Sequence, residues 1–221
     1  MKISRPKAVI LLSGGLDSAV ALYLAKQRGF DCRSLVFNYG QRHSKEIECA
    51  KKISLKAGCD YKLLNISLPW KGSLLLEGSK KLPAVSNRFA KNIPSTYVPG
   101  RNIIFLSFAL SYAEAIGAQS IFIGAHNQDY SGYPDCRPEF FKAFSAMALK
   151  GTKAGTENKR IIIEAPLLNK GKAEIIKIGA KLKVPFNLTW SCYKGGKKPC
   201  GKCDSCYFRI KGFKEAGIKE L

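Results

Sequence analysis

The chain has 221 residues, 46% of them hydrophobic, which is enough for one α/β domain with a packed core and a small appendage. Lysine and arginine number 37 against 16 acidic residues, a formal net charge of +21, but the lysines are scattered, as in 150–159 and 170–183, and this weighs against direct nucleic-acid binding as the function. No apolar run reaches the roughly 20 residues of a membrane span, and the few apolar residues after the basic start are too short for a secretory signal, so a cytoplasmic protein is expected.

Residues 7–12 read as the first buried strand, and residues 17–28 as a helix stopped at Gly29. Between them lies Ser13-Gly14-Gly15-Leu16-Asp17-Ser18. A strand, a glycine turn and a helix N-terminus together hold phosphate. Glycine lets the backbone turn and bring its N–H groups close to an anion, and the helix start adds orphan donors and a positive dipole end. The segment expected to bind nucleotide is therefore Leu12, Ser13, Gly14, Gly15, Leu16, Asp17, Ser18, Ala19 and Val20. Asp17 is a carboxylate where phosphate oxygens should sit, so it must serve otherwise, either by capping backbone donors or by lying near a bound Mg²⁺. Neither the Walker pattern nor G-x-G-x-x-G is present. What remains, Ser-Gly-Gly-x-Asp-Ser after a first strand, resembles the PP-loop of the ATP pyrophosphatase superfamily. That likeness implies cleavage of ATP between the α- and β-phosphates and adenylation of a carbonyl or carboxylate oxygen.

Leu35-Val36-Phe37 centres a second strand, and the polar group Asn38-Tyr39-Gly40-Gln41-Arg42-His43 after it should flank the nucleotide, since ligands collect at the carboxyl ends of such strands. Residues 44–57 read as a helix capped by Ser44 and stopped by Gly58, with Ile47, Ala50, Ile53 and Leu55 as its apolar face. Residues 61–66 form the third strand. Residues 67–95 lack periodicity and carry three prolines, which reads as a lid or substrate loop with room for a short helix near Leu74. Val98-Pro99-Gly100-Arg101-Asn102 opens an apolar helix over 103–116. Arg101 at that start opposes the helix dipole, which is easier to explain if it meets an anion. Residues 120–124 are the fourth strand, Pro138 opens a helix to Lys150, residues 161–165 are the fifth strand, and 172–182 are a helix that begins at Lys172. The alternation implies a doubly wound, parallel, five-stranded α/β sheet.

Cys192, Cys200, Cys203 and Cys206 lie close together at the C-terminal end, three of them as Cys-x-x-Cys-x-x-Cys. Four thiolates suit a closed, tetrahedral structural zinc. The rival is an iron–sulfur cluster; the ferredoxin continuation, three residues and then Cys-Pro, is missing, which favours zinc. Cys32, Cys49 and Cys59 read as small core residues.

The PP-loop, Tyr97-Val98-Pro99-Gly100-Arg101-Asn102, the stretch Asp129 to Phe140, Leu188-Thr189-Trp190-Ser191-Cys192-Tyr193 and Pro199 to Cys206 followed by Arg209 together resemble the 7-cyano-7-deazaguanine synthase family. One departure is His126-Asn127, where the resemblance leads us to expect a different polar pair. The resemblance implies an adenine nucleotide alpha-hydrolase-like domain over residues 1–187 and a zinc-binding segment over 188–221. It implies conversion of 7-carboxy-7-deazaguanine and ammonia, with ATP and Mg²⁺, through an amide to the nitrile precursor of queuosine and archaeosine, releasing AMP and pyrophosphate. It also implies a homodimer.

On that reading Asp17, Arg101 and Lys172 are the catalytic candidates, Lys172 competing with the reading of a solvated surface lysine. Tyr130, Tyr133, Phe140 and Phe141 offer rings to a flat deazaguanine, with core packing favoured for the two phenylalanines. Asp135 or Glu139 would accept its N–H groups, and Arg137 would hold its carboxylate. His43 and His126 are proton-carrier candidates against a structural role. Two other readings compete: a PP-loop enzyme acting directly on tRNA, such as a thiolase or lysidine-type ligase, and a zinc-bearing nucleotide sensor.

Overall fold

A computed structural model describes residues 5–41, 44–70, 73–76, 93, 95–126 and 133–220. Five parallel strands form one sheet in the order β3-β2-β1-β4-β5: β1 Lys7–Leu11, β2 Asp31–Asn38, β3 Asp60–Asn65, β4 Ser120–Phe122 and β5 Ile162–Glu164. The chain runs outward from β1 through β2 to β3, then crosses back to lay β4 on the other side of β1. The order therefore reverses between β1 and β4, which is where a crevice opens at the carboxyl ends of such strands.

Alternation along β1 sends side chains to both faces. Ala8 and Ile10 join α1 (Leu16–Gln27), α2 (Lys45–Lys56) and the helix Lys172–Lys181 in one core. Val9 and Leu11 join α3 (Arg101–Ile116) and α4 (Pro138–Gly151) in the other. A single helical turn, α5 (Lys153–Thr156), precedes β5; α6 is Lys172–Lys181; α7 is Asp204–Ala216. β1 and β2 are nearly continuous apolar runs because helices cover both faces of the sheet.

The structure departs from the sequence expectations in detail. Leu55 is 65% exposed, so the buried stripe of α2 is Ile47, Ala50 and Ile53 without it. Ser44 precedes α2 but caps no backbone donor. Leu74–Leu76 is a turn, not a helix; most of 67–95 lies outside the described residues. Cys32 and Cys59 are buried in the first core as expected, whereas Cys49 packs beside the C-terminal cysteines. α7 had no counterpart in the sequence reading; its buried face is Cys206, Arg209, Gly212 and Phe213.

Candidate active site

The turn after β1 is fixed from three sides. Within it, Ser18 Oγ donates to the Gly15 carbonyl (3.0 Å) and accepts from the Ser13 N–H (3.2 Å), while Gly15 N–H donates to Ser13 Oγ (3.3 Å). Gly14 adopts φ +86°, and a Cβ there would stand 2.1 Å from the Glu46 carbonyl oxygen, so α2 sits directly on the turn. From the C-terminal segment, the Trp190 N–H donates to the Gly14 carbonyl at 2.9 Å. On the β4 side, a Cβ on Gly124 would lie 2.7 Å from Ser18 N, which is how closely the exit of β4 passes the start of α1.

A cavity of about 240 Å³ opens at the carboxyl ends of the strands, walled by Ser13, Gly15, Phe37, Tyr39, Arg101 and Phe105, among others. Phe37 and Phe105 stack with ring centroids 4.0 Å apart and planes 3° from parallel, and Tyr39 meets Phe105 edge-on. The result is a flat aromatic wall suited to a planar base. Arg101 donates to Tyr39 Oη across it, at 3.4 Å. A second cavity, of about 260 Å³, lies between the turn and the C-terminal segment and includes Lys172, His126, Trp190, Asp204 and Arg209 in its wall. Gly15, Asp17, Glu46, Tyr133 and Tyr193 line both. Asp204 Oδ1, on the second wall, is the buried side-chain oxygen that accepts no hydrogen bond among the described residues.

Asp17 neither caps α1 nor stands free for a metal. Lys172 Nζ donates to both its carboxylate oxygens, at 2.8 and 2.9 Å, and lies 3.0 Å from His126 Nε2; His126 Nε2 is 3.5 Å from Asp17. Burial alone would raise the Asp17 carboxyl, but the Lys172 ammonium and the His126 ring outweigh it and hold it well below the usual carboxylate range. Lys172 is thus an internal cation and not a solvated surface lysine: its side chain is 13% exposed. Its stem is covered by α7 at Gly212, where a Cβ would fall 2.5 Å from Lys172 Cγ.

Arg101 and Lys172 are therefore brought to the turn, and Tyr133 reaches both cavities. Asp135 and Arg137 are not. The Asp135 carboxylate is buried and accepts the Asn102 N–H at 2.9 Å, and its carbonyl accepts from Asn102 Nδ2 at 3.1 Å; it anchors the start of α3. Arg137 is exposed at the start of α4 and lines neither cavity, and the same holds for the exposed Glu139. Phe141 is core and Phe140 packs beside it. Tyr130 and His43 lie outside the described residues. The sequence reading missed Glu46, Phe105 and the cavity role of Tyr193. Phe105 had a signal, since it stands four residues after Arg101 and shares its helix face.

The sulfurs of Cys192, Cys200, Cys203 and Cys206 all lie within 4.8 Å of one another. A tetrahedral ion with metal–sulfur bonds of about 2.3 Å needs sulfurs slightly under 4 Å apart, so the set fits a metal. Backbone N–H groups of Lys194 and Cys200 point at Cys192 Sγ, and those of Lys202 and Cys203 at Cys200 Sγ. Burial opposes ionisation of Cys200, but these amide donors win and lower its thiol to about 6. Trp190 joins this knot to the turn: its indole Nε1 donates to the Cys192 carbonyl at 2.9 Å, and Lys45 Nζ sits 3.8 Å from the centroid of its ring.

A glycine turn at the switch point of a parallel sheet, with partly buried cations beside it and an aromatic wall above, defines a nucleotide-handling α/β protein of the PP-loop class. Comparison with known proteins narrows this. Residues 7–217 match the family described as Queuosine biosynthesis protein QueC, and the chain belongs to that family. Relatives named 7-cyano-7-deazaguanine synthase are 50% identical in Nostoc sp. over 218 residues (97% of this chain, 95% of the relative) and 48% identical in Thermoplasma acidophilum over 219 residues (99% and 92%). Among solved structures, NMN synthetase from Francisella tularensis superposes with a TM-score of 0.53 at 17% identity, covering 98% of this chain and 79% of that one, a likeness of fold.

Proposed function

We propose that the chain converts 7-carboxy-7-deazaguanine and ammonia to 7-cyano-7-deazaguanine, using ATP and releasing AMP and pyrophosphate. The observation that carries this is the pair of cavities that share the turn after β1, with Arg101 in the wall of one and Lys172, locked to Asp17, in the wall of the other. A carboxylate resists ammonia because its oxygen is a poor leaving group. Transfer of AMP to that oxygen makes a good one, and ammonia displaces it to give the amide. Adenylation of the amide oxygen and loss of AMP then gives the nitrile. Each adenylation builds charge on departing pyrophosphate, which the start of α1, the two cations and the backbone donors of Ser13–Gly15 stabilise, Ser13 and Gly15 N–H exchanging their hydroxyl partners for phosphate. The Phe37–Phe105 wall supports binding of a flat ring.

Magnesium, when bound, supplies further charge neutralisation. Both Asp17 oxygens already accept from Lys172, so Asp17 would hold that ion only if the pair opened. Zinc, when bound to Cys192, Cys200, Cys203 and Cys206, supplies a structural cross-link; four closely set sulfurs with no other ligand type in the set support zinc over a catalytic metal. Residues 188–221 are read as a zinc segment packed on the PP-loop domain of 1–187, which the Trp190–Gly14 bond and the burial of Phe213 in the first core support. Four cysteines gathered as a metal-binding set support a reducing, cytoplasmic setting, and no helix among the described residues is long and apolar enough to cross a membrane. The homodimer rests on the family resemblance; exposed Ile103 and Phe108 on α3 leave apolar surface for a second copy.

Incubation with ATP, ammonium and 7-carboxy-7-deazaguanine tests the reading. Nitrile with AMP is the expected result. AMP formed only when tRNA is added, or nucleotide binding without turnover, would replace it with one of the two competing readings.

A further inference from the structure

Among the carboxylates that line the cavities, Glu46 differs from Asp17. It lies in the first turn of α2, lines both cavities, and is held against the phosphate turn by the close approach of Gly14 to its own backbone carbonyl. Asp17 is spent on Lys172, and the His126 ring is within hydrogen-bond distance of the same ammonium. The Glu46 side chain makes no hydrogen bond or ion pair with a described residue. The charged and titratable groups around it are Arg101 from α3, Tyr39 beyond β2, Asp17 from α1, Tyr133 and Tyr193 across the cavities, Cys49 on its own helix and, in the wall of the second cavity, His126 beyond β4, Lys172 of α6, and Asp204 and Arg209 of α7. Burial pushes the Glu46 carboxyl up to about 7, against the pull of Arg101, which places its proton exchange in the working range of a base.

The proposed reaction requires a base at two points. When the ammonia nitrogen attacks the adenylated carboxyl carbon, a C–N bond forms, the C–O bond to AMP breaks with its electron pair on AMP, and a proton must leave nitrogen. When the adenylated amide becomes the nitrile, AMP departs again and the remaining two N–H protons leave. We infer that Glu46 is the proton acceptor for the reacting nitrogen in both stages, releasing each proton to solvent through the open cavity. The inference rests on the function proposed above. Glu46 and Lys172 share the wall of the second cavity, and Lys172 Nζ is already bonded to both Asp17 oxygens, so the Glu46 carboxyl and the ammonium reach one space without forming a pair with each other.

The test compares wild type, Glu46→Gln and Glu46→Asp. Without ammonia, 7-carboxy-7-deazaguanine and ATP should yield a stoichiometric burst of pyrophosphate in Glu46→Gln equal to wild type within about threefold, because adenylation needs no base at nitrogen. With ammonium, nitrile formation by Glu46→Gln should fall about 100-fold, the usual scale of lost base catalysis. The acidic limb of its rate–pH profile should disappear, and Glu46→Asp should recover part of the rate and keep the limb. Nitrile formation within threefold of wild type, an unchanged acidic limb in Glu46→Gln, or loss of the pyrophosphate burst along with the nitrile would each overturn the inference, the last by assigning Glu46 to binding. Failure of wild type to make nitrile would instead bring down the function itself and this inference with it.

Discussion

The backbone N–H of Trp190 donates to the carbonyl of Gly14 at 2.9 Å, so the cysteine knot and the phosphate turn are one hydrogen bond apart. Trp190 is tied in turn to the Cys192 carbonyl through its indole. Distortion of the knot is therefore felt at the turn.

Removing the metal should weaken nucleotide binding as well as stability. Mild chelation, or Cys203→Ser, is expected to lower the melting temperature by roughly 10 °C, from a loss of about 3–5 kcal/mol of metal-coupled folding energy. It should also weaken ATP binding by about tenfold. Differential scanning fluorimetry and calorimetric titration with ATP measure the two. A melting shift with unchanged ATP affinity would confine the metal to local stability.

The Lys172–Asp17 pair should show strong coupling. Lys172→Met leaves a largely buried carboxylate without its cation and should cost about 3 kcal/mol, and Asp17→Asn a similar amount. The double variant should recover most of the stability while remaining inactive, since the cation facing the phosphates is gone. Denaturant unfolding gives the cycle. Because the Asp17 carboxyl is held below its unfolded value, the pair stabilises the fold above about pH 4, and that contribution is lost as pH falls further.

Glu46 has the opposite sign. Its folded-state carboxyl is raised to about 7, so the folded chain binds the extra proton between roughly pH 4.5 and 7 and stability falls as pH rises through that window. Glu46→Gln should match wild type near pH 5 and melt higher at pH 8.5, by an amount on the order of 1–2 kcal/mol after allowance for partial solvent access. Melting curves at the two pH values decide it; a constant difference would contradict the burial argument.

Gly14 and Gly124 should fail as alanines for different reasons. At Gly14 both a positive φ and a backbone carbonyl 2.1 Å from the new Cβ oppose substitution, so Gly14→Ala should abolish ATP binding. At Gly124 the backbone is ordinary and the clash is steric, 2.7 Å from Ser18 N. Gly124→Ala should cost about 1–3 kcal/mol and move α1 away from β4. Calorimetry with ATP and thermal melts separate the two.

The frame of the molecule was legible because it depends on local patterns. Apolar runs marked the positions of all five strands, and Gly29, Gly58 and Gly117 end helices in the left-handed region that glycine favours. The phosphate turn and the four cysteines were legible as motifs. What escaped depends on contacts between distant segments. Asp135 looked like a ligand group on a loop, but the start of α3, some thirty residues earlier, uses its carboxylate. Glu46 lies beside the apolar stripe of α2, and only the docking of that helix on the turn after β1 brings it to the cavity walls. α7 hid because its buried face is a cysteine, an arginine, a glycine and one phenylalanine, which no hydrophobic period reports. Arg209 is tolerated there because Thr189, Ser191, the Phe186 carbonyl and Glu220 take up its donors.

The most direct measurement is a crystal structure with a non-hydrolysable ATP analogue and the deazaguanine acid. The phosphates should lie within hydrogen-bond distance of the backbone N–H groups of Ser13–Gly15, with the acid group between Lys172 and Glu46. Phosphates bound elsewhere, with the turn after β1 bare, would contradict the assignment of this cavity to ATP cleavage.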